Sequence, residues 1–197
     1  MNLQRWERFG STTEALLAAP ENVVTELNVP ESGIVAVFST GPDLFASSVS
    51  ERVGKRGLVY SLELTDEPTP TPPPRPVPGY LRMRQKESGQ LPLADESVDL
   101  ALWAFAFRTL NHVASMLAET RRILKPGGRL AVVDWIRREE PLGPRRDDRV
   151  SAATCERCLA ASGFGLIAQR AINGSHYLVV GRRPAGEAGA GVGARTA

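Results

Sequence analysis

The chain has 197 residues, a length that suits one domain with a sizeable core. Hydrophobic residues make up 42% and charged residues 23%, which favours a globular protein, and the interspersed charges with a formal net charge of +2 give no electrostatic basis for binding nucleic acid or an anionic membrane. No segment approaches the about 20 apolar residues that span a bilayer, and no signal-peptide run opens the chain, so we expect a cytoplasmic protein without a membrane span.

Apolar runs and helical spacings predict an alternation of helices and strands between a lead-in over residues 1–20 and a disordered tail, rich in Gly and Ala, over residues 185–197. The predicted helices cover residues 21–27, 44–53, 111–124 and 150–162. The predicted strands cover residues 34–38, 58–64, 80–85, 97–105, 129–136, 164–171 and 176–182. A proline-rich loop over residues 65–79 cannot be helical, because proline removes a backbone donor and clashes with the preceding turn.

The element order predicts the fold class of the domain over residues 21–184. Strands that alternate with helices indicate a parallel sheet with helices on both faces. Asn173-Gly174 is a hairpin turn signal between the last two strands, which makes the end of the sheet antiparallel. We therefore predict an α/β fold, a Rossmann-like, doubly wound, mostly parallel seven-stranded sheet with a C-terminal antiparallel hairpin.

Three motifs lie at the junctions of these elements. They are Leu91-Pro92-Leu93-Ala94-Asp95-Glu96-Ser97-Val98-Asp99-Leu100, Arg121-Arg122-Ile123-Leu124-Lys125-Pro126-Gly127-Gly128-Arg129-Leu130, and Ala161-Ser162-Gly163-Phe164 followed by His176-Tyr177-Leu178-Val179-Val180. In this order the chain resembles the class I S-adenosylmethionine-dependent methyltransferases, most closely the small bacterial members of the ubiquinone/menaquinone-methyltransferase type. The resemblance covers residues 21–184.

The resemblance implies a cofactor, S-adenosylmethionine, bound outside the carboxyl ends of the strands where strand order reverses. The second motif of the family aligns without a gap and makes Glu63 the acid that accepts hydrogen bonds from the ribose hydroxyls. The acid after the third strand, which typically meets the adenine amino group, falls on Glu87. The implied cofactor-binding residues are Ser39, Gly41, Asp43, Glu63, Leu64, Glu87, Ser88 and Trp103.

The glycine-rich motif departs from the family pattern. It falls on Ser39, Gly41 and Asp43, so only the middle glycine remains. Val37 stands where the family has an acid that helps to hold the charged end of the cofactor, and Asp43 could meet the cofactor's ammonium group instead. The proline-rich loop replaces a helix that usually helps to wall the adenine pocket.

Candidate catalytic and substrate residues follow the fourth and fifth strands. His112 opens the helix after the fourth strand and could be a general base, or simply a half-exposed histidine. Asp134 ends the fifth strand and could touch substrate or cap the next turn. Phe105, Phe107 and Arg108 are candidate substrate-binding residues; core packing or solvation are the alternatives.

Two further patterns invite simpler interpretations. Cys155 and Cys158 are spaced to share one face of a late helix, where we favour small core residues over a disulfide or a metal shared by two subunits, so we predict no metal site. The charged residues between 137 and 149 alternate in sign, which favours a solvated loop; in the resembling family this loop lies over the substrate side.

Two functions of different kinds fit the sequence. The first is an S-adenosylmethionine-dependent methyltransferase that acts on a small-molecule substrate. The alternative is a catalytically inactive methyltransferase-like protein that acts as a binding or regulatory partner, which the altered glycine motif would explain and which leaves open a protein partner or a homodimer. A nicotinamide oxidoreductase is disfavoured, because no Gly-x-Gly-x-x-Gly fingerprint follows the first strand.

Overall fold

The structure is a computed structural model that describes residues 20–39, 45–64, 80–85, 90–107, 112–141, 143–172 and 174–186. Its helices are α1 (Pro20–Glu26), α2 (Ala46–Val53), α3 (Val113–Ile123) and α4 (Ala152–Ala161). Its strands are β1 (Ile34–Ser39), β2 (Leu58–Leu64), β3 (Tyr80–Gln85), β4 (Val98–Ala104), β5 (Leu124–Trp135), β6 (Gly165–Ile172) and β7 (His176–Arg182). The proline-rich loop, most of the lead-in and nearly all of the tail lie outside the described residues, so the predicted domain limits stay predictions.

The strands form one sheet in the order β3-β2-β1-β4-β5-β7-β6. The first five strands are parallel, and β7 runs antiparallel between β5 and β6. The predicted α/β, Rossmann-like architecture is confirmed. Strand order reverses at β1, because β2 and β3 lie on one side of it and β4 and β5 lie on the other. In open sheets of this kind, ligands bind at the carboxyl ends of the strands beside such a reversal.

The sheet separates two apolar layers, as the continuous apolar runs of its strands predict. One layer joins Phe38, Trp103 and Val132 to the buried faces of α3 and α4. The other joins Val37, Leu102 and neighbouring strand residues to α1 and α2. Val37, which stands in the place of the family's acid, is therefore a core residue with no exposed surface.

The starts of α4 and β5 can be compared with what the local sequence indicates. Ser151 caps α4, since its side-chain oxygen accepts a hydrogen bond from the Thr154 N–H at 3.2 Å. The strand predicted over residues 129–136 begins earlier, at Leu124, directly after α3. Leu124 pairs with Val98, and the N–H of Gly127 donates to the carbonyl of Arg183. The Lys-Pro-Gly-Gly segment is therefore part of the sheet, at the start of β5.

The helices of the described part of the chain are all short. None of them combines the length and the apolar character that crossing a lipid bilayer requires.

Candidate active site

The carboxyl ends of β1, β2 and β4 meet at the reversal of strand order. Ser39 is the last residue of β1, and in the sheet register it lies between Glu63 of β2 and Ala104 of β4. Both polar side chains are buried, Glu63 with only 1% of its surface exposed. A buried carboxylate is acceptor-only and must be satisfied by donors, which makes a ribose diol a chemically matched ligand. This edge therefore fits the sugar part of the cofactor that the sequence implies.

Of the other predicted cofactor residues, two are buried, and the rest lie outside the part of the chain that the structure describes. Leu64 follows Glu63 and is fully buried. Trp103 has no exposed surface, and its ring packs against Phe38 at 6.0 Å and Phe107 at 5.9 Å. These contacts favour the core-packing alternative for Trp103 and for Phe107. Gly41, Asp43, Glu87 and Ser88, together with the substrate candidate Arg108, lie outside the described residues.

Aromatic side chains occupy the next part of the same sheet edge. Trp135 at the end of β5 and His176 at the start of β7 are register partners with ring centroids 4.2 Å apart. Phe105, immediately after β4, lies 5.3 Å from the His176 ring and 6.2 Å from the Trp135 ring. Phe105, Trp135 and His176 form what we call the aromatic wall. Phe45 packs behind it, 6.1 Å from Phe105.

Phe105 is the member of the aromatic wall that reaches the surface, because it is half-buried while Trp135 and His176 are buried. Its backbone has φ 55°, in the left-handed region that bulky residues avoid. The N–H of Phe105 donates to the carbonyl of Val133 at 2.9 Å, which fixes this turn of the chain to β5. Such strain persists only where the surroundings determine the conformation, and it clusters at functional sites.

The loop between β5 and α4 folds onto the aromatic wall. Arg145 to Asp148 are exposed, as the alternating charges predicted, but Arg149 is buried, and there the prediction of a solvated loop is wrong. The guanidinium carbon of Arg149 lies 4.9 Å from the centre of the Trp135 ring. Nothing in its local sequence separates Arg149 from its arginine neighbours, because its burial depends on a tryptophan fourteen residues earlier that β5 puts in place.

Three acceptors hold the Arg149 side chain. Its Nε donates to the carbonyl of Pro144 at 2.9 Å, and its Nη1 donates to the carbonyl of Ile136 and to a carboxylate oxygen of Glu140, each at 2.9 Å. Burial raises the pKa of Glu140, but hydrogen bonds from Arg149, Arg138 and Ser175 outweigh it and leave this pKa below its ordinary value. The ion pair therefore persists in moderately acidic solution.

His176 is held neutral by its surroundings. Burial is the main cause that lowers the pKa of His176, from 6.5 to about 4; the nearby charge of Arg149 acts in the same direction and Glu140 opposes it. The imidazole accordingly behaves as an aromatic ring of the wall at neutral pH. His176 is therefore a packing residue of the strand start.

The two candidate catalytic residues occupy different environments. His112 is exposed at the residue that precedes α3, so its imidazole is accessible. Asp134 is fully buried, and its Oδ1 accepts a hydrogen bond from the N–H of Trp135 at 2.8 Å. This favours turn capping for Asp134 over contact with substrate. Of the two, His112 is the exposed one.

The cysteine pair lies on the face of α4 that packs on the sheet. Cys155 is buried and Cys158 is half-buried, and both are free thiols. Burial first, and then the charge of Asp134, raise the pKa of the Cys155 thiol far above its ordinary range, which makes it unreactive. Among the described residues, no group of three or more His, Cys, Asp or Glu side chains is placed to hold a metal ion.

Comparisons with known proteins agree with this geometry. A family model described as "Methyltransferase domain" matches residues 39–132, which run from the end of β1 into β5. The ubiquinone/menaquinone biosynthesis C-methyltransferase UbiE of Bordetella avium is 33% identical over 122 residues, 61% of this chain and 48% of that protein. The same enzyme of Burkholderia mallei is 41% identical over 56 residues, 28% of this chain and 23% of the relative. The chain thus matches about half, or less, of the length of these relatives.

Solved structures share the fold. A SAM-dependent methyltransferase from Aquifex aeolicus superposes with a TM-score of 0.81 at 21% identity, covering 93% of this chain and 99% of its own. A putative methyltransferase from Haloferax volcanii, in complex with the Trm112 activator, gives 0.69 at 17% identity over 92% and 95%. The fold, the family match over residues 39–132 and the curated relatives support the resemblance to class I S-adenosylmethionine-dependent methyltransferases, and the inactive alternative gains no support from them.

Proposed function

We propose that this protein transfers a methyl group from S-adenosylmethionine to a small aromatic acceptor. The observation that carries the proposal is the buried carboxylate of Glu63, which lies beside Ser39 where the strand order reverses. An ionised carboxylate accepts hydrogen bonds only, and at the carboxyl end of β2 it stands where the hydroxyls of a ribose could donate to it. The matching of the methyltransferase family model from residue 39 onward supports the same assignment.

The cofactor is held, in this proposal, by the ends of β1 and β2. Glu63 accepts hydrogen bonds from the ribose hydroxyls, and Ser39 with the following Gly41 and Asp43 lines the rest of the cofactor edge. Glu87 and Ser88 meet the adenine, while Leu64 and Trp103, which are packed in the core, support the strand ends beneath it. When bound, S-adenosylmethionine supplies a methyl group activated by a sulfonium. The protein's contribution to the rate is to hold the acceptor in line with that group and to exclude water.

The acceptor lies against Phe105, the exposed edge of the aromatic wall. An apolar, aromatic surface next to the cofactor edge suits a flat aromatic ring better than a charged or flexible molecule. The Bordetella avium relative is named a C-methyltransferase of ubiquinone and menaquinone biosynthesis, which supports a quinol-like ring methylated at carbon. Arg108 pairs with any anionic group of the acceptor, whereas Phe107, packed on Trp103, is assigned to the core.

His112 is the proposed general base. A phenolic acceptor becomes a better carbon nucleophile when its hydroxyl proton is removed, and an accessible imidazole is the side chain that removes protons near neutral pH. Asp134 is buried and bonded to the Trp135 N–H, so we assign it to the support of the β5 end. We propose no direct step for it.

Calorimetric titration with S-adenosylhomocysteine tests the cofactor half of the proposal. Wild-type protein and Glu51→Gln, an exposed change on α2, are expected to bind with the same Kd. Glu63→Gln keeps the shape of the side chain but loses the charge-assisted bonds, which are worth about 1.5–3 kcal/mol, so its Kd should rise about tenfold to a hundredfold. Unchanged affinity in folded Glu63→Gln contradicts the assigned edge.

Methyl transfer to 1,4-naphthoquinol tests the acceptor half. Mass spectrometry of the reaction with methyl-labelled S-adenosylmethionine is expected to show one labelled methyl group on the product. His112→Gln should lower kcat about a hundredfold, because general-base catalysis contributes about 10²–10⁴-fold, while the Kd for S-adenosylhomocysteine stays the same. Cofactor binding without transfer to this quinol would reject the acceptor class and leave the cofactor assignment standing.

A further inference from the structure

We infer that Arg149 is a positioning residue that sets the aromatic wall against which the acceptor lies, an inference that rests on the proposed function. It acts through Trp135. Three features of the structure carry this inference: the contacts of Arg149 along the loop, the packing of Arg149 and His176 against Trp135, and the strained backbone of Phe105.

Arg149 joins two parts of the loop between β5 and α4 that both lie next to Trp135. One acceptor, the carbonyl of Ile136, belongs to the residue that follows Trp135; another, that of Pro144, belongs to the residue that follows Gly143. Gly143 itself lies against the indole, because a Cβ at this position would be 2.7 Å from Cζ3 of Trp135. The loop therefore contacts Trp135 twice, and one buried side chain joins the two contacts.

Trp135 is held from two directions. Arg149 lies over its ring at 4.9 Å, and the His176 ring lies 4.2 Å from it at an angle of 53°. Both Trp135 and His176 in turn contact Phe105, at 6.2 Å and 5.3 Å. A shift of Trp135 must consequently move or release the ring of Phe105, because close-packed side chains leave no room for independent motion.

Phe105 needs this support because its backbone is strained. A phenylalanine at φ 55° returns to an ordinary conformation when the contacts that hold it are lost. Arg149 is suited to the role because a guanidinium donates in fixed directions in one plane and stacks on an indole at the same time. A lysine ammonium also has several donors, but it lacks the rigid planar fork and has no flat face to lie on the indole.

The test uses the full chain as wild type, Arg149→Met, Arg149→Lys and a matched control, Arg146→Met, which changes an exposed arginine of the same loop. With 1,4-naphthoquinol as acceptor, we expect both Arg149 variants to raise the acceptor KM or lower kcat by about tenfold to a hundredfold, the range that a small misplacement produces. The KM for S-adenosylmethionine and the Kd for S-adenosylhomocysteine should stay at the wild-type values. In the Arg146→Met control, all of these constants, including the acceptor KM and kcat, should stay at the wild-type values.

If the role of Arg149 were purely structural, its variants would weaken the binding of both ligands together or would only lower the Tm. Equal losses of acceptor and cofactor affinity, or no loss for the acceptor, would therefore overturn the inference. A spectroscopic measurement makes the result independent of the chosen acceptor. In protein labelled with 5-fluorotryptophan, the ¹⁹F line of Trp135, assigned with Trp135→Phe, should shift or broaden in both Arg149 variants while that of Trp103 stays in place.

An unchanged Trp135 line in these variants overturns the inference whether or not the quinol is methylated. If wild-type protein leaves the quinol unmethylated, the acceptor class of the proposed function fails, and the fluorine spectrum alone decides on Arg149. Arg149→Lys preserves the buried positive charge beside Glu140 and provides the folded variant should Arg149→Met be too unstable to study.

Discussion

Gly143 and Gly174 both have a left-handed backbone, with φ 87° and 74°, but their surroundings differ. A Cβ at Gly174 would meet nothing within 4 Å, whereas one at Gly143 would run into the ring of Trp135. We expect Gly174→Ala to lower the free energy of unfolding by about 1–2 kcal/mol from backbone strain alone. Gly143→Ala should lose about 1–3 kcal/mol more through overpacking. Urea denaturation measures both, and equal losses would show that the loop does not press on Trp135.

The chain has only two histidines, which makes the pH dependence of His176 measurable. Because its pKa falls from 6.5 to about 4 on folding, the native state binds fewer protons than the unfolded state between these values. The resulting stability is fully present above pH 6.5 and is lost as the pH falls towards 4. His176→Gln should flatten this part of a plot of unfolding free energy against pH, while His112→Gln, at an exposed position, should leave it unchanged. A parallel decline in all three proteins would contradict the buried neutral imidazole.

Individual site residues differ in how far the sequence could predict them. The position of Glu63 followed from an ungapped motif, because the end of a strand is encoded by nearby residues. The burial of Arg149 and the contact between Trp135 and His176 join segments far apart in the sequence, and no local pattern encodes them. Asp134 shows the converse case, since its position at a strand end was predicted correctly while its burial depended on the neighbouring β7 and α4.

At the scale of elements, α4 offers a direct test of the local rules. Ser151 is its N-cap, and the side-chain oxygen accepts from the Thr154 N–H. Ser151→Ala should lower the free energy of unfolding by about 1 kcal/mol. Ser151→Asp should keep the wild-type stability, because a carboxylate also accepts this hydrogen bond and interacts favourably with the positive end of the helix dipole. Ser162→Ala, at the opposite end of the helix, is the control. If alanine at 151 is as stable as wild type in chemical denaturation, the cap is not contributing.

Elements as a whole were more predictable than their boundaries. Continuous apolar runs marked β1, β2, β4 and β5, and helical spacing marked α3 and α4, because periodicity records which faces are covered. The start of β5 at Leu124 was missed, since the proline and glycines that cannot continue α3 were expected to form a turn before the strand. What decides the boundary is the pairing of Leu124 with Val98 and of Gly127 with Arg183, and these are long-range contacts.

For the whole molecule, the strand order divides the carboxyl edge of the sheet into two parts. Ser39 and Glu63, on β1 and β2, form the proposed cofactor edge, whereas the aromatic wall belongs to the ends of β4, β5 and β7. The antiparallel β7 is what brings His176 beside Trp135, because its first residue lies against the last residue of β5. Cofactor binding and acceptor binding are therefore expected to respond to different substitutions.

This division predicts how a bound ligand changes the stability of the whole chain. A ligand that binds only the native state at a hundred times its Kd adds about 2.7 kcal/mol to the free energy of unfolding. For a domain of this size, that corresponds to a rise in Tm of about 5–10 °C. S-adenosylhomocysteine should give this rise in wild-type protein and in Arg149→Met alike, because Arg149 lies outside the cofactor edge. Glu63→Gln at the same ligand concentration should show a much smaller rise. A full shift in Glu63→Gln would place the cofactor elsewhere, and a shift lost only in Arg149→Met would show that the two parts of the edge form a single site.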